Sequence, residues 1–176
     1  MIYNSCFDII GPIMVGPSSS HTAGVVSIGK FVYEFLRGEP DAAVIDFYDS
    51  FSETYRGHGT DKAVVGGLLG MDTDNMRIRK ALEIAQEQKV EIVIHCNDHC
   101  PYYDHPNTVL IRAHREGISV TIGGVSLGGG ISKIFQINGY SLDIPLNSPY
   151  NVDLIRENIS QEPRYVATVG GEKYGF

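Results

Sequence analysis

The chain has 176 residues, 43% of them hydrophobic and 20% charged, with a formal net charge of -7. That composition suits one globular domain with a real core, and the acidic balance argues against a nucleic-acid partner, which needs a basic footprint. No apolar run approaches the ~20 residues of a membrane span, so no membrane association is expected. The opening Met1-Ile2-Tyr3-Asn4 lacks the basic start and apolar stretch of a secretory signal. Three cysteines, an odd number, then point to reduced thiols in a cytoplasmic protein.

In chain order, Phe7-Asp8-Ile9-Ile10 is a short apolar run ended by Gly11-Pro12. From 22 to 37, Val25, Val26, Ile28, Val32, Phe35 and Leu36 fit one helical stripe, and Gly38 is a good stop. Residues 43–51 are rich in β-formers and read as a strand, followed by a polar loop over 52–62. Thr60 or Asp61 would cap a helix over 62–69, where Gly66-Gly67 allows close backbone packing. Thr73 is the expected N-cap of a helix over 74–88, and 90–96 alternates as a strand.

Residues 107–114 and 117–122 read as a hairpin turning at Glu116-Gly117, with Gly123-Gly124 and Gly128-Gly129-Gly130 interrupting the next stretch. A second hairpin turns at Asn138-Gly139, 145–149 is loop, 152–158 a short helix and 165–169 a last strand. Adjacent antiparallel pairs with two or three helices make an α+β pattern with a mixed, mostly antiparallel sheet.

Three stretches carry candidate chemistry. Gly16–Gly24 reads Gly-Pro-Ser-Ser-Ser-His-Thr-Ala-Gly, placing Ser18, Ser19, Ser20, His21 and Thr22 at the start of a helix. Hydroxyls and free amides there suit an anion. One serine would satisfy an N-cap; the run exceeds that need, so a ligand site is the reading preferred. His58 stands between Gly57 and Gly59, close to backbone, although an ordinary loop histidine would look the same. His95, Cys96, Asp98, His99, Cys100, Asp104 and His105 resemble metal ligands, but zinc sites pair two separated couples, and a polar loop fits better. The triple glycine at 128–130 matches neither a P-loop nor a dinucleotide fingerprint.

Taken together, five stretches resemble the beta chain of bacterial iron–sulfur L-serine dehydratases: Phe7–Pro12, Gly16–Gly24, Arg56-Gly57-His58-Gly59-Thr60-Asp61, His105-Pro106-Asn107-Thr108 and Ser126-Leu127-Gly128-Gly129-Gly130. The resemblance implies an α+β domain over residues 1–163, similar to the allosteric substrate-binding domain of some phosphoglycerate dehydrogenases. Residues 164–176 would be a terminal strand and the start of a linker to a regulatory ACT domain that is not in this sequence. It also implies a partner alpha chain carrying a [4Fe–4S] cluster, because Cys6, Cys96 and Cys100 do not offer the cluster's ligand pattern and no metal is expected on this chain. A beta-domain dimer, a heterodimer or a heterotetramer is the implied assembly.

The implied reaction removes the Cα proton and β-hydroxyl of L-serine; the aminoacrylate tautomerises to an imine that hydrolyses to pyruvate and ammonia. By the resemblance His58 is the general base, a role suited to histidine, while Ser18, Ser19, Ser20, His21 and Thr22 hold the serine carboxylate. Thr60 and Asp61 would support His58 or take the amine, with His105, Asn107 and the backbone of 128–130 as weaker candidates. Relatives with His-His-Thr where this chain has His58-Gly59-Thr60 allow only the first histidine to be carried over. Two rivals stand beside this reading: a serine-sensing module without catalysis, and a metal-binding subunit built on the region 95–105.

Overall fold

A computed structural model describes residues 19–159, with side chains from Thr22 onward. The expected features at 7–18, the strand at 165–169, the glycine-rich tail and the division near residue 163 lie outside the described residues. Helix α1 (Ser19–Leu36) leads to strand β1 (Ala42–Tyr48), then to α2 (Ser50–His58) and α3 (Thr60–Leu68). A 3-10 turn (Met76–Lys80) and α4 (Ala81–Glu87) precede β2 (Glu91–Asn97), β3 (Thr108–Arg115), β4 (Ile118–Gly128), β5 (Ile131–Ile137), β6 (Tyr140–Pro145) and α5 (Val152–Ile159).

The strands form one six-stranded sheet ordered β2-β1-β3-β4-β5-β6. Among the described strands β1 and β2 run parallel and the other pairs are antiparallel. Parallel neighbours need a crossover, and α2, α3 and α4 make it. The architecture is therefore the expected α+β with a mixed, mostly antiparallel sheet, although five helices rather than two or three appear among the described residues.

Helix α1 follows its stripe: Val25, Ile28 and Val32 are fully buried. It ends as Gly38 suggests. Arg37 takes a left-handed φ of 61°, and Arg37 N–H and Gly38 N–H bond the carbonyls of Glu34 (3.1 Å) and Tyr33 (2.9 Å), closing the helix with a Schellman motif. Across α1 lies α3, nearly backbone to backbone. A Cβ on Gly67 would meet Val26 O at 2.2 Å, and one on Gly29 would meet Val64 O at 2.3 Å. The close packing expected of Gly66-Gly67 is thus realised with Gly29 as its partner. Gly29 faces Gly67 and Tyr33 faces Gly70, so the two helices run in the same direction. That register carries back to Thr22 and Thr60 at one end of the layer.

Three expectations need correction. Residues 50–58 are helix rather than strand end and loop. Phe51 and Tyr55, four residues apart, both pack their rings on Phe47, at 5.9 and 5.7 Å between centroids, and this apolar pair outweighs the polar composition. Thr60 and Asp61 lie inside α3 rather than capping a later start, and Gly59 in the left-handed region (φ 69°) separates it from α2. The helix expected over 74–88 begins at Asn75, not Thr73, as a 3-10 turn whose first donor, Arg77 N–H, is accepted by the Asn75 side chain at 2.9 Å.

Both predicted hairpins form, with positive φ at Glu116-Gly117 (49°, 83°) and Asn138-Gly139 (49°, 85°) as mirror-image turns require. Gly123-Gly124 does not break the strand; β4 continues through it with a register shift against β5.

Helices cover one face of the sheet, burying Ile45, Phe47, Val109, Ile111, Ile122 and Ile134. Over the other face folds the loop after β2: Cys100 packs with Tyr48 and Leu110, and Tyr103 stacks on Phe135 with centroids 4.6 Å apart. On that face the buried Asp46 carboxylate bridges three strands, accepting Arg112 Nη2 at 2.7 Å and lying 3.0 Å from His95 Nδ1. Among the described residues no helix is long and apolar enough to cross a membrane.

Candidate functional site

The first turns of α1 meet the paired strands β4 and β5. A Cβ on Gly24 would stand 2.4 Å from Ser126 Oγ and 3.4 Å from Ser132 Cβ; only glycine lets the helix come this close. Ser126 and Ser132 are register partners, and both are buried. The Ser126 N–H donates to Asn107 O at 3.0 Å, which ties the loop before β3 to the same place. On the other flank, Thr22 and Thr60 each lie seven residues before the Gly29–Gly67 contact of α1 and α3, with His58 two residues before Thr60 across the Gly59 hinge.

These elements carry buried polar atoms that the described residues do not satisfy. Thr22 Oγ1, Thr60 Oγ1, Asn107 Oδ1 and Ser132 Oγ are each shielded from solvent with no hydrogen-bond partner among the described residues. A buried hydroxyl or amide without a partner costs roughly 1–3 kcal/mol, so four such atoms are a considerable unmet demand. The His58 ring is half-buried, with Nδ1 shielded from solvent.

His105 is held by its neighbours. Its Nδ1 accepts Asn107 N–H at 3.1 Å, so the neutral ring carries its proton on Nε2, and its carbonyl accepts Thr108 Oγ1 at 2.7 Å. Burial lowers its pKa below the usual histidine value, Lys133 lowers it further, and Asp104 opposes both. Gly128, Gly129 and Gly130 turn from β4 to β5 with φ of 93°, 62° and 83°, a backbone that a side chain would strain.

Of the sequence-predicted residues, Thr22, Thr60 and Asn107 each carry such a buried polar atom, and His58 stands two residues before Thr60. Ser19, Ser20 and His21 lie on the first turn of α1, their side chains not described, and Ser18 is outside the described residues. Asp61 stands apart. Its carboxylate, 8% exposed, lines a cavity with Arg56 and Leu82 that Thr22, His58, Thr60, Asn107 and Ser132 do not line. Sequence reasoning missed Ser132. A signal was there: in β5 it takes an inward position where alternation calls for an apolar residue, and a buried polar residue in such a slot is informative.

The region 95–105 is dispersed rather than convergent. His95 faces Asp46, His99 lies 3.7 Å from Asp49, and Cys96 is exposed while Cys100 is buried. Burial raises the Cys100 pKa and keeps it a thiol. Among the described residues no three histidine, cysteine or acidic side chains come together as metal ligands, so these residues do not fit an iron–sulfur cluster, which needs several thiolates.

The family described as serine dehydratase beta chain matches residues 5–102. A probable L-serine dehydratase beta chain of Bacillus subtilis is 45% identical over 149 residues, 85% of this chain and 67% of the relative. The L-serine dehydratase beta chain of Peptoniphilus asaccharolyticus is 37% identical over 140 residues, 79% of this chain and 63% of the relative. An L-serine dehydratase of Haemophilus influenzae is 29% identical over 150 residues, 78% of this chain but 32% of the relative. The chain belongs to the serine dehydratase beta chain family. It spans about two thirds of the length of the two beta chains and about a third of the longer enzyme.

Proposed function

We propose that this chain is the beta subunit of an iron–sulfur L-serine dehydratase, an ammonia-lyase working in the cytoplasm with an alpha chain that carries the cluster. The carrying observation is the set of four buried polar atoms on Thr22, Thr60, Asn107 and Ser132 that have no hydrogen-bond partner among the described residues. A small, doubly polar substrate supplies what such groups lack. The hydroxyls and the free amides of the first turn donate to the serine carboxylate, aided by the positive end of the helix dipole. Asn107 Oδ1, an acceptor, suits the ammonium. His58 takes the Cα proton; it adjoins the Gly59 hinge, two residues before the buried Thr60.

This chain's part is to bind and orient serine and to take that proton; the cluster's ligands come from the alpha chain. The alpha chain closes the site from outside, as a heterodimer or a pair of such heterodimers. The test is pyruvate formation from L-serine without oxygen, with and without the alpha chain. Turnover only in the mixture supports the reading. Serine binding to this chain with no turnover in either case would favour a sensing module instead.

A further inference from the structure

The cavity that Asp61 lines lies at the β2 edge of the sheet and encloses about 540 Å³, within the range of small-molecule sites. It opens because β2 has no neighbour on its outer side among the described residues and the seven-residue α4 covers the edge only in part. Ile92 and Ile94, on the helix-covered face of β2, remain half-buried, whereas Ala43, Ile45 and Phe47 beside them on β1 are covered. With Leu82 and Val90 these side chains make a branched aliphatic floor.

Two opposite charges stand on the same cavity without meeting. The Asp61 carboxylate is nine-tenths buried, and its only hydrogen bond among the described residues comes from the adjacent Lys62 N–H at 2.8 Å. No basic side chain pairs with it among the described residues. The Arg56 guanidinium lies over the Tyr55 ring, 5.4 Å from its centroid, which holds it at the cavity mouth, and it too has no carboxylate partner among the described residues. A buried carboxylate calls for a cation, and a planar guanidinium at a mouth suits a carboxylate.

We propose that this cavity binds an L-α-amino acid with a branched aliphatic side chain: ammonium on Asp61, carboxylate on Arg56, side chain on the floor of Leu82, Val90, Ile92 and Ile94. The site is separate from the one assigned to substrate. Serine is a poor occupant, because its hydroxymethyl group would leave most of the aliphatic floor of Leu82, Val90, Ile92 and Ile94 uncovered. Arg56 and Asp61 flank the His58-Gly59-Thr60 stretch, so an occupant bridging them braces that stretch from behind.

The test is calorimetric titration of the full chain with L-leucine, L-valine, L-leucinamide and L-serine. Saturable one-site binding of leucine or valine is expected, weakened at least tenfold when the carboxylate is removed in leucinamide. Arg56→Gln, at an exposed position that the fold does not need, weakens leucine binding by a similar factor, and Leu82→Gln weakens it through the floor. The proposal is overturned by the absence of saturable binding at millimolar leucine and valine, by an Arg56→Gln protein that binds leucine as tightly as the parent, or by serine displacing leucine. None of these outcomes bears on turnover by His58, which is measured separately.

Discussion

Gly24 and Ser126 touch so closely that a single methyl group on Gly24 would stand 2.4 Å from the Ser126 hydroxyl. This contact sets how far the start of α1 descends onto β4 and β5, and so how Thr22 stands relative to Ser132. Gly24→Ala gains helix propensity worth about 1 kcal/mol but must push the helix or Ser126 aside. Misplacement on the ångström scale costs on the order of 100-fold in rate, so the assembled enzyme should lose roughly 10- to 100-fold in kcat/KM while thermal stability changes little. Unchanged kinetics would remove this contact from the site.

Ser132→Ala separates function from stability. Its Oγ is buried and has no partner among the described residues, so deleting it relieves a desolvated group rather than breaking a bond. Denaturant unfolding should show stability unchanged or raised. If the hydroxyl bonds the serine carboxylate, the loss is about 1.5–3 kcal/mol of binding, read as a roughly tenfold or greater rise in KM or fall in kcat/KM. Reduced stability with normal kinetics would make Ser132 a structural residue.

Gly67→Ala tests the helix crossing. Its Cβ would meet Val26 O at 2.2 Å and Lys30 N at 2.7 Å, backbone atoms that cannot rotate away. Overpacking of this kind costs roughly 1–3 kcal/mol, and a lowered melting temperature is expected. A variant as stable as the parent would mean that α1 and α3 separate freely.

Asp46→Asn probes the helix-free face. The carboxylate is 5% exposed and serves both Arg112 and His95; neutralising it leaves a guanidinium without its counter-charge. Both partners are about a third exposed, so water offsets part of the loss and about 2 kcal/mol remains. Equilibrium unfolding in urea measures this directly, and a loss below a few tenths of a kcal/mol would contradict it.

His105 sets a pH dependence. Burial lowers its pKa in the folded chain, so between that value and the ordinary ~6.5 the unfolded chain binds more protons. Stability then rises with pH through this window; the contribution is fully present above about 6.5 and is lost as pH falls through the folded value. NMR titration of the ring should give a midpoint below ~6.5, and His105→Gln should flatten the stability profile there. A midpoint above ~6.5 would contradict the burial.

The sequence was most legible where one physical rule acted alone. The stripe from Val25 to Leu36, the stop at Gly38 and the turns at Glu116-Gly117 and Asn138-Gly139 all formed as their patterns require. It was least legible where tertiary contacts overrode composition. Residues 50–58 read as loop because Ser52, Glu53, Thr54 and Arg56 are polar, yet Phe51 and Tyr55 stacking on Phe47 make them helix. For the site, the sequence pointed to Thr22, Thr60 and Asn107, each of which carries a buried polar atom without a hydrogen-bond partner among the described residues. It could not foresee Ser132, which arrives through strand pairing with Ser126, nor that Asp61 would line a cavity that its neighbour Thr60 does not.

The most direct test of the central claim is anaerobic L-serine turnover by the assembled enzyme with His58→Ala in this chain. Both chains should still assemble, and kcat should fall at least ~100-fold, within the range a lost general base removes. Near-normal turnover by His58→Ala in an intact assembly would contradict the claim and place the base elsewhere.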